Sequence, residues 1–247
     1  ANVAALELTV KGMDYRESHK HPAKGESYHR VFETSAWLRY TWQRERRALI
    51  DALRVRHRGA LLDFACGTGR VLGFLGSMFT DAVGVDVSES MLQVARRTCP
   101  FRTINADLTA TRIFAARSFD IITAFRFFPN AEPALRSMVL TSLVDLLAND
   151  GALIFNNHQN SNSTLVRANR ILRRTIPWTP MSSEEVRKMV LGAGLKIAET
   201  YRIGVLPATE RRMLCPSFAH DVVDAVAERV ALTRDWFQDV IYVCVRS

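Results

Sequence analysis

The chain is poor in cysteine. It has four in 247 residues, and no two stand close together. Cys66, Cys99, Cys215 and Cys244 therefore form neither a zinc-ligand spacing nor a Cys-x-x-Cys redox pair. They read as reduced thiols, which suits a cytoplasmic protein. Long apolar runs are missing too, and nothing approaches the ~20 residues needed to span a bilayer. Residues 1–10 lack a basic segment followed by an apolar one, so no secretory signal is read there. No internal repeat, low-complexity segment, zinc finger, RNA-binding sheet motif or aromatic-interleaved basic run is present, which makes nucleic acid an unlikely partner.

What is present is a globular composition. Hydrophobic residues make up 48% and charged residues 23%, as expected of a soluble chain long enough to bury a sizeable core in one domain with additions. The net charge of +8 is read as Arg-rich solvated helices, such as a helix over 165–176 carrying Arg167, Arg170, Arg173 and Arg174. That helix keeps an anionic partner, nucleic acid or glycoconjugate, open as a minor alternative.

Strand and helix alternate through the middle of the chain. Strands are expected near 60–65, 82–86, 102–105, 119–125 and 151–156, with helices near 69–79, 89–97 and 131–148. This is the pattern of a parallel sheet covered on both faces. Later come a capped helix from Ser182, a strand over 195–203, a helical insertion over 217–232 and a last strand over 240–245. Two segments bound the core: 1–58, an N-terminal helical cap whose apolar spacing runs from Tyr28 through Phe32, Trp37 and Trp42 to Leu53, and insertions at about 160–180 and 205–238 within the domain 59–247.

The chain is organised around residues 61–79. A buried strand ends at Asp63-Phe64, Ala65-Cys66-Gly67-Thr68-Gly69 make a tight turn, and a helix follows. Such a turn admits a small, partly anionic ligand, because glycine lets backbone approach and the helix start offers free N–H groups. The dinucleotide fingerprint wants a third glycine where Leu72 stands. A second strand ends in Asp86, 23 residues after Asp63.

Taken together, Asp63-x-x-Cys66-Gly67-Thr68-Gly69, Gly84-Val85-Asp86-Val87-Ser88 with Met91-Leu92, Asn105-Ala106-Asp107-Leu108 and Phe119-Asp120-Ile121-Ile122 resemble a class I S-adenosylmethionine-dependent methyltransferase in order and spacing. The resemblance covers roughly 59–160. It implies a Rossmann-like, doubly wound, mostly parallel seven-stranded α/β sheet with an antiparallel last strand, and S-adenosylmethionine as cofactor. On that reading the 65–69 turn and the helix start take the methionyl carboxylate. Asp63 accepts from the amino group, directly or through water, and Asp86 accepts from both ribose hydroxyls. Val87 and Met91 pack on the adenine, Asp107 takes its amino group and the Leu108 N–H meets the ring. Ala124 and Phe125 flank the methyl group. Tyr28, with Tyr15 second, is the candidate to reach cofactor or substrate from the N-terminal segment.

Chemistry is expected at the carboxyl ends of the fourth and fifth strands. The candidates there are Arg126, for a substrate carboxylate or phosphate, and His158, as general base if the acceptor is a hydroxyl. Asn130, Asn157 and Asn160 are the orienting groups. No metal is expected, since the acids are assigned to the cofactor. Phe127-Phe128-Pro129-Asn130 departs from the Asn/Asp-Pro-Pro-aromatic motif of DNA amino-methyltransferases. The expected acceptor is an O or N atom of a small molecule or glycoconjugate. The alternatives are RNA methyl transfer, a non-catalytic cofactor-binding protein of this fold, and a nicotinamide-dependent oxidoreductase, which Leu72 disfavours.

Overall fold

The computed structural model describes residues 24–173, 180–210, 212–213 and 215–247. Tyr15 and residues 174–179, the end of the expected basic helix, lie outside them. The chain opens with α1 (Lys24–Thr34) and α2 (Ala36–Leu53). The sequence periodicity reads as one helix across this stretch, but Ser35 divides it. Its backbone is extended and its hydroxyl accepts from Leu38 N at 3.2 Å, an N-cap that starts α2 afresh. α2 then buries Trp37, Leu38, Tyr40, Leu49 and Leu53.

β1 (Ala60–Phe64), α3 (Arg70–Leu75) with a following single 3₁₀ turn, β2 (Asp81–Asp86), α4 (Glu89–Thr98) and β3 (Arg102–Asn105) form the first half of the sheet. The second half begins with β4 (Phe119–Ala124), α5 (Pro133–Leu146), β5 (Leu147–Asn157), α6 (Thr164–Ile171) and α7 (Ser183–Gly192). It continues with β6 (Leu195–Ile203), a short hairpin of β7 (Ala208–Thr209) and β8 (Arg212–Met213), α8 (Ser217–Arg229) and β9 (Asp239–Arg246). The seven-stranded sheet runs β3-β2-β1-β4-β5-β9-β6. β9 is antiparallel to both neighbours, while the β1–β2, β1–β4, β2–β3 and β4–β5 pairs are parallel. Both the mixed sheet and its antiparallel last strand agree with the sequence reading.

One face of the sheet packs against α5 and α7 through residues such as Leu140, Leu143, Phe155 and Val190. The other packs against α2 and α3 through Leu38, Leu49, Leu72 and Ile154. The order reverses between β1 and β4, and there the carboxyl ends of the strands splay into a crevice. α1 lies against α4 beside this crevice. Gly25 marks the closest approach: a methyl group there would run into the Ser90 carbonyl, so only hydrogen fits.

Candidate functional site

The turn after β1 is held open by backbone that favours glycine. Gly67 has φ of 55° and Gly69 of 77°, and Ala65 is also left-handed at 52°. Cys66 N donates to the Val85 carbonyl at 3.1 Å, and Gly69 N to the Cys66 carbonyl at 2.9 Å. Two carboxylates brace it. Asp63 is buried, and its oxygens accept from the Thr123 hydroxyl at 2.7 Å and from Leu72 N at 3.0 Å. Asp86 accepts from Gly67 N and from Ser88 N, both at 2.8 Å, tying the turn to the end of β2.

Beside this turn lies a depression lined by Phe64, Ala65, Val85, Asp86, Val87, Ala106, Asp107, Leu108, Phe127, Leu135 and Val139. A Cβ at Gly67 would meet nothing within 4 Å. The missing side chain thus leaves room for a ligand rather than for a neighbour. Apolar walls with two carboxylates suit a nucleoside, whose base is flat and apolar on its faces and whose hydroxyls and exocyclic amine need acceptors. The residues present therefore fit the adenosyl part of S-adenosylmethionine. Asp107 also accepts from Thr109 N at 2.9 Å and from its hydroxyl at 2.7 Å, which fixes the carboxylate.

The ends of β4 and β5 carry a second, buried polar group. Arg126 sits at φ of 59°, a strained backbone for a residue with a side chain. Its N–H donates to Asn156 Oδ1 at 2.7 Å. Its guanidinium lies 4.9 Å from the Phe32 ring and 4.0 Å from Glu210, and its Nε is buried without a partner. The Asn156 amide donates to Asp239 at 3.0 Å and lies 3.5 Å from Glu45. Glu45, fully buried, receives Arg70 at 2.5 Å. The Arg70 guanidinium sits against Phe32 at 4.6 Å and Trp42 at 4.1 Å. Burial, then the neighbouring Glu45 charge, pushes the Asp239 carboxyl upward, and Arg126 opposes that shift. His158 belongs to this group. Its Nδ1 is buried without a partner, and Nε2 lies 3.4 Å from the Gln159 amide nitrogen. Burial, then the charges of Arg126 and Arg70, hold the ring well below its usual range, so it is a neutral imidazole.

The structure brings the expected residues together in two sets. Ala65, Asp86, Val87, Asp107 and Leu108 line the depression. Tyr28, Arg126 and His158 share the polar group. Burial pushes the Tyr28 hydroxyl up, with Arg126 and Arg70 opposing. Asn130 joins them, donating to the Arg126 carbonyl at 2.7 Å and accepting from Gln159 at 2.9 Å.

Others stand elsewhere. Met91, Ala124 and Phe125 are packed in the core, and Cys66 and Thr68 are buried in the turn. Asn157 is anchored by donating to the Met181 carbonyl at 2.8 Å. Asn160 needs correcting. It is fully buried and donates to the Asp235 and Phe237 carbonyls, each at 2.9 Å, while its carbonyl accepts from Asn162 N. It braces a loop rather than offering itself to an acceptor. Among the described residues no group of three His, Cys, Asp or Glu side chains is gathered as a metal site.

Sequence reasoning passed over Glu45, Arg70 and Asp239. Glu45 left a signal, because it falls on the buried stripe of α2 between Thr41 and Ala48. A charge on an apolar stripe needs a partner.

Burial pushes the Asp63 carboxyl up to about 7, against donation from Thr123 and Leu72. A cation placed nearby lowers it again. Binding of S-adenosylhomocysteine, which brings an ammonium group, should therefore release a fraction of a proton near pH 7, and its affinity should rise as pH climbs towards 7. Calorimetry in buffers of different ionisation heat checks this. Proton uptake, or none, would mean that Asp63 does not sense the ligand.

Residues 61–151 match the model of a family described as "Methyltransferase domain". No curated protein matches the chain. Among solved structures, magnesium protoporphyrin IX methyltransferase from Synechocystis PCC 6803, with bound S-adenosylhomocysteine, is similar with a TM-score of 0.66 and 15% identity over 94% of this chain and 98% of that one. A Thermotoga maritima S-adenosylmethionine-dependent methyltransferase, titled as a possible histamine N-methyltransferase, gives 0.63 and 16% over 93% and 99%. An Archaeoglobus fulgidus methyltransferase gives 0.56 and 16% over 81% and 93%.

Proposed function

We infer that this chain, whose residues 61–151 match a methyltransferase domain, acts as a class I S-adenosylmethionine-dependent methyltransferase and moves the methyl group to an oxygen of a small acceptor that also carries an anionic group. The observation that carries this reading is His158: a neutral imidazole with an unpartnered buried nitrogen, beside a guanidinium whose Nε is also unpartnered.

The 65–69 turn, Asp86, Val87, Asp107 and Leu108 would hold the cofactor, with Asp63 bracing the turn and Tyr28 closing over it from α1. Bound there, S-adenosylmethionine supplies an electrophilic methyl group on sulfur. The protein's part is then to align the acceptor, exclude water and take a proton. Arg126 binds the acceptor's carboxylate or phosphate, displacing the distant Glu210 contact of 4.0 Å. His158, kept unprotonated, would accept the acceptor's hydroxyl proton. The neighbouring guanidinium also eases ionisation of that hydroxyl. α1, with Phe32 against both Arg70 and Arg126, covers the pair, which favours a small acceptor over a polymer.

The test uses the full chain with radiolabelled S-adenosylmethionine and matched acceptors. These are phenolic and aliphatic hydroxy acids, their methyl esters, and the corresponding amino acids. Label should enter hydroxyls of the free acids and fall at least about tenfold for the esters, which lose a charged hydrogen bond to Arg126. Label on the amines, or equal labelling of acids and esters, would replace this reading.

A further inference from the structure

α8 is amphipathic the wrong way round. Its buried positions are His220, Asp224 and Ala227. Asp224 is satisfied there by donation from Gly204 N at 2.8 Å and Val205 N at 2.9 Å. Its outward face carries Phe218, Val222 and Val226, which are 68%, 61% and 55% exposed. A helix in a soluble protein normally turns its apolar stripe to the core. The stripe runs on past the helix to Val230 and to Leu232, which is 86% exposed.

α6 extends this surface. Thr164 N donates to the Trp236 carbonyl at 3.0 Å, and the Arg167 guanidinium sits 5.5 Å from the Trp236 ring. The start of α6 is thereby fixed beside the turn that follows α8. Further along, the helix ends in Ile171 and its C-cap Leu172, 81% and 59% exposed. These segments carry five exposed arginines: Arg167 and Arg170 on α6, Arg173 just past it, Arg229 at the end of α8 and Arg234 beyond it. Two exposed acids, Glu228 and Asp235, share the surface. Among the described residues none of the five arginines is paired with a carboxylate.

We propose that this face docks on an anionic lipid bilayer. A membrane surface takes both features at once: apolar tips enter the acyl boundary while guanidinium groups stay with anionic headgroups. A second copy in a two-fold dimer would set the same five arginines against themselves. RNA would satisfy the arginines but leave the apolar tips, at 86%, 81% and 68% exposure, without use. No helix among the described residues is long and apolar enough to cross the membrane, so the contact is peripheral.

The test is co-sedimentation of the full chain with vesicles of phosphatidylcholine alone or mixed with phosphatidylglycerol. Binding should need the anionic lipid and weaken with salt. The pair Ile171→Asp with Leu232→Asp, and separately Arg170→Glu with Arg229→Glu, should each lower it roughly tenfold or more, at about fivefold per basic residue. All four positions are exposed, so the thermal midpoint should not move. Four results would overturn the proposal: no sedimentation with either vesicle, equal binding to both, undiminished binding of the apolar variants, or a dimer in ultracentrifugation that Leu232→Asp dissolves. Binding to single-stranded RNA without vesicle binding would assign the arginines to nucleic acid instead.

Discussion

Asp86→Ala should bind S-adenosylhomocysteine at least about a hundredfold more weakly than the parent chain, from the loss of two hydrogen bonds to a charged group at about 1.5 kcal/mol each. The carboxylate does two things. Each oxygen accepts one backbone N–H at 2.8 Å, from Gly67 and Ser88. The carboxylate also lines the depression, and each oxygen keeps acceptor capacity beyond its one backbone donor. Removing it strips the ligand of its ribose acceptors and frees the turn that Gly67 shapes. Burial raises the Asp86 carboxyl against the backbone donors of Ser88, Gly67 and Val87, so acid should weaken binding in the parent and leave the variant less changed. Asp86→Asn, which keeps one acceptor oxygen, should lose about tenfold. Calorimetry reads both, with thermal melts to show that each variant folds. Parental affinity in Asp86→Ala would move the ribose contact to Asp107.

Much of this site was legible because its parts are local. A strand end, two left-handed glycines and a helix start occupy ten consecutive positions, 61–70. Asp63 and Asp86 stand at the ends of their strands and Asp107 just past one, where alternation and turn chemistry point to them. The parallel sheet followed from strands that alternate with helices, and its antiparallel last strand from the family resemblance. The acceptor side was harder to read because it is assembled from distant segments. Glu45 on α2, Arg70 on α3, Asn156 on β5 and Asp239 on β9 meet only once the sheet is built, and no spacing encodes that meeting. Asn160 shows the reverse error. It stands two residues from His158 in a polar run, yet the loop turns its amide towards the carbonyls of Asp235 and Phe237. A run of asparagines does not say which way each side chain faces. Ser35 was also hidden, since a single cap interrupts a helical period without disturbing the apolar spacing on either side.

His158→Ala should lower kcat by roughly a hundredfold to ten-thousandfold, the usual contribution of a general base, while leaving affinity for S-adenosylhomocysteine within about twofold, a difference of roughly 0.4 kcal/mol. That split separates a base from a binding residue, because His158 is not among the residues that line the nucleoside depression. His158→Gln, which fills the space and offers hydrogen bonds but takes no proton, should not restore the rate. The pH profile gives an independent check. With burial and two guanidinium charges holding its pKa well below the usual 6.5, the imidazole stays unprotonated down through pH 6.5. Its acid limb should therefore lie on the acidic side of 6.5 and be missing from His158→Ala. Arg126→Lys keeps a positive charge but loses the planar fork. It should raise KM for an anionic acceptor more than it lowers kcat, and should shift the His158 limb little because the cation remains. If His158→Ala keeps its full kcat, no proton is taken there. The acceptor would then be an amine, whose lone pair attacks without a base, and the unpartnered imidazole would be serving to orient it.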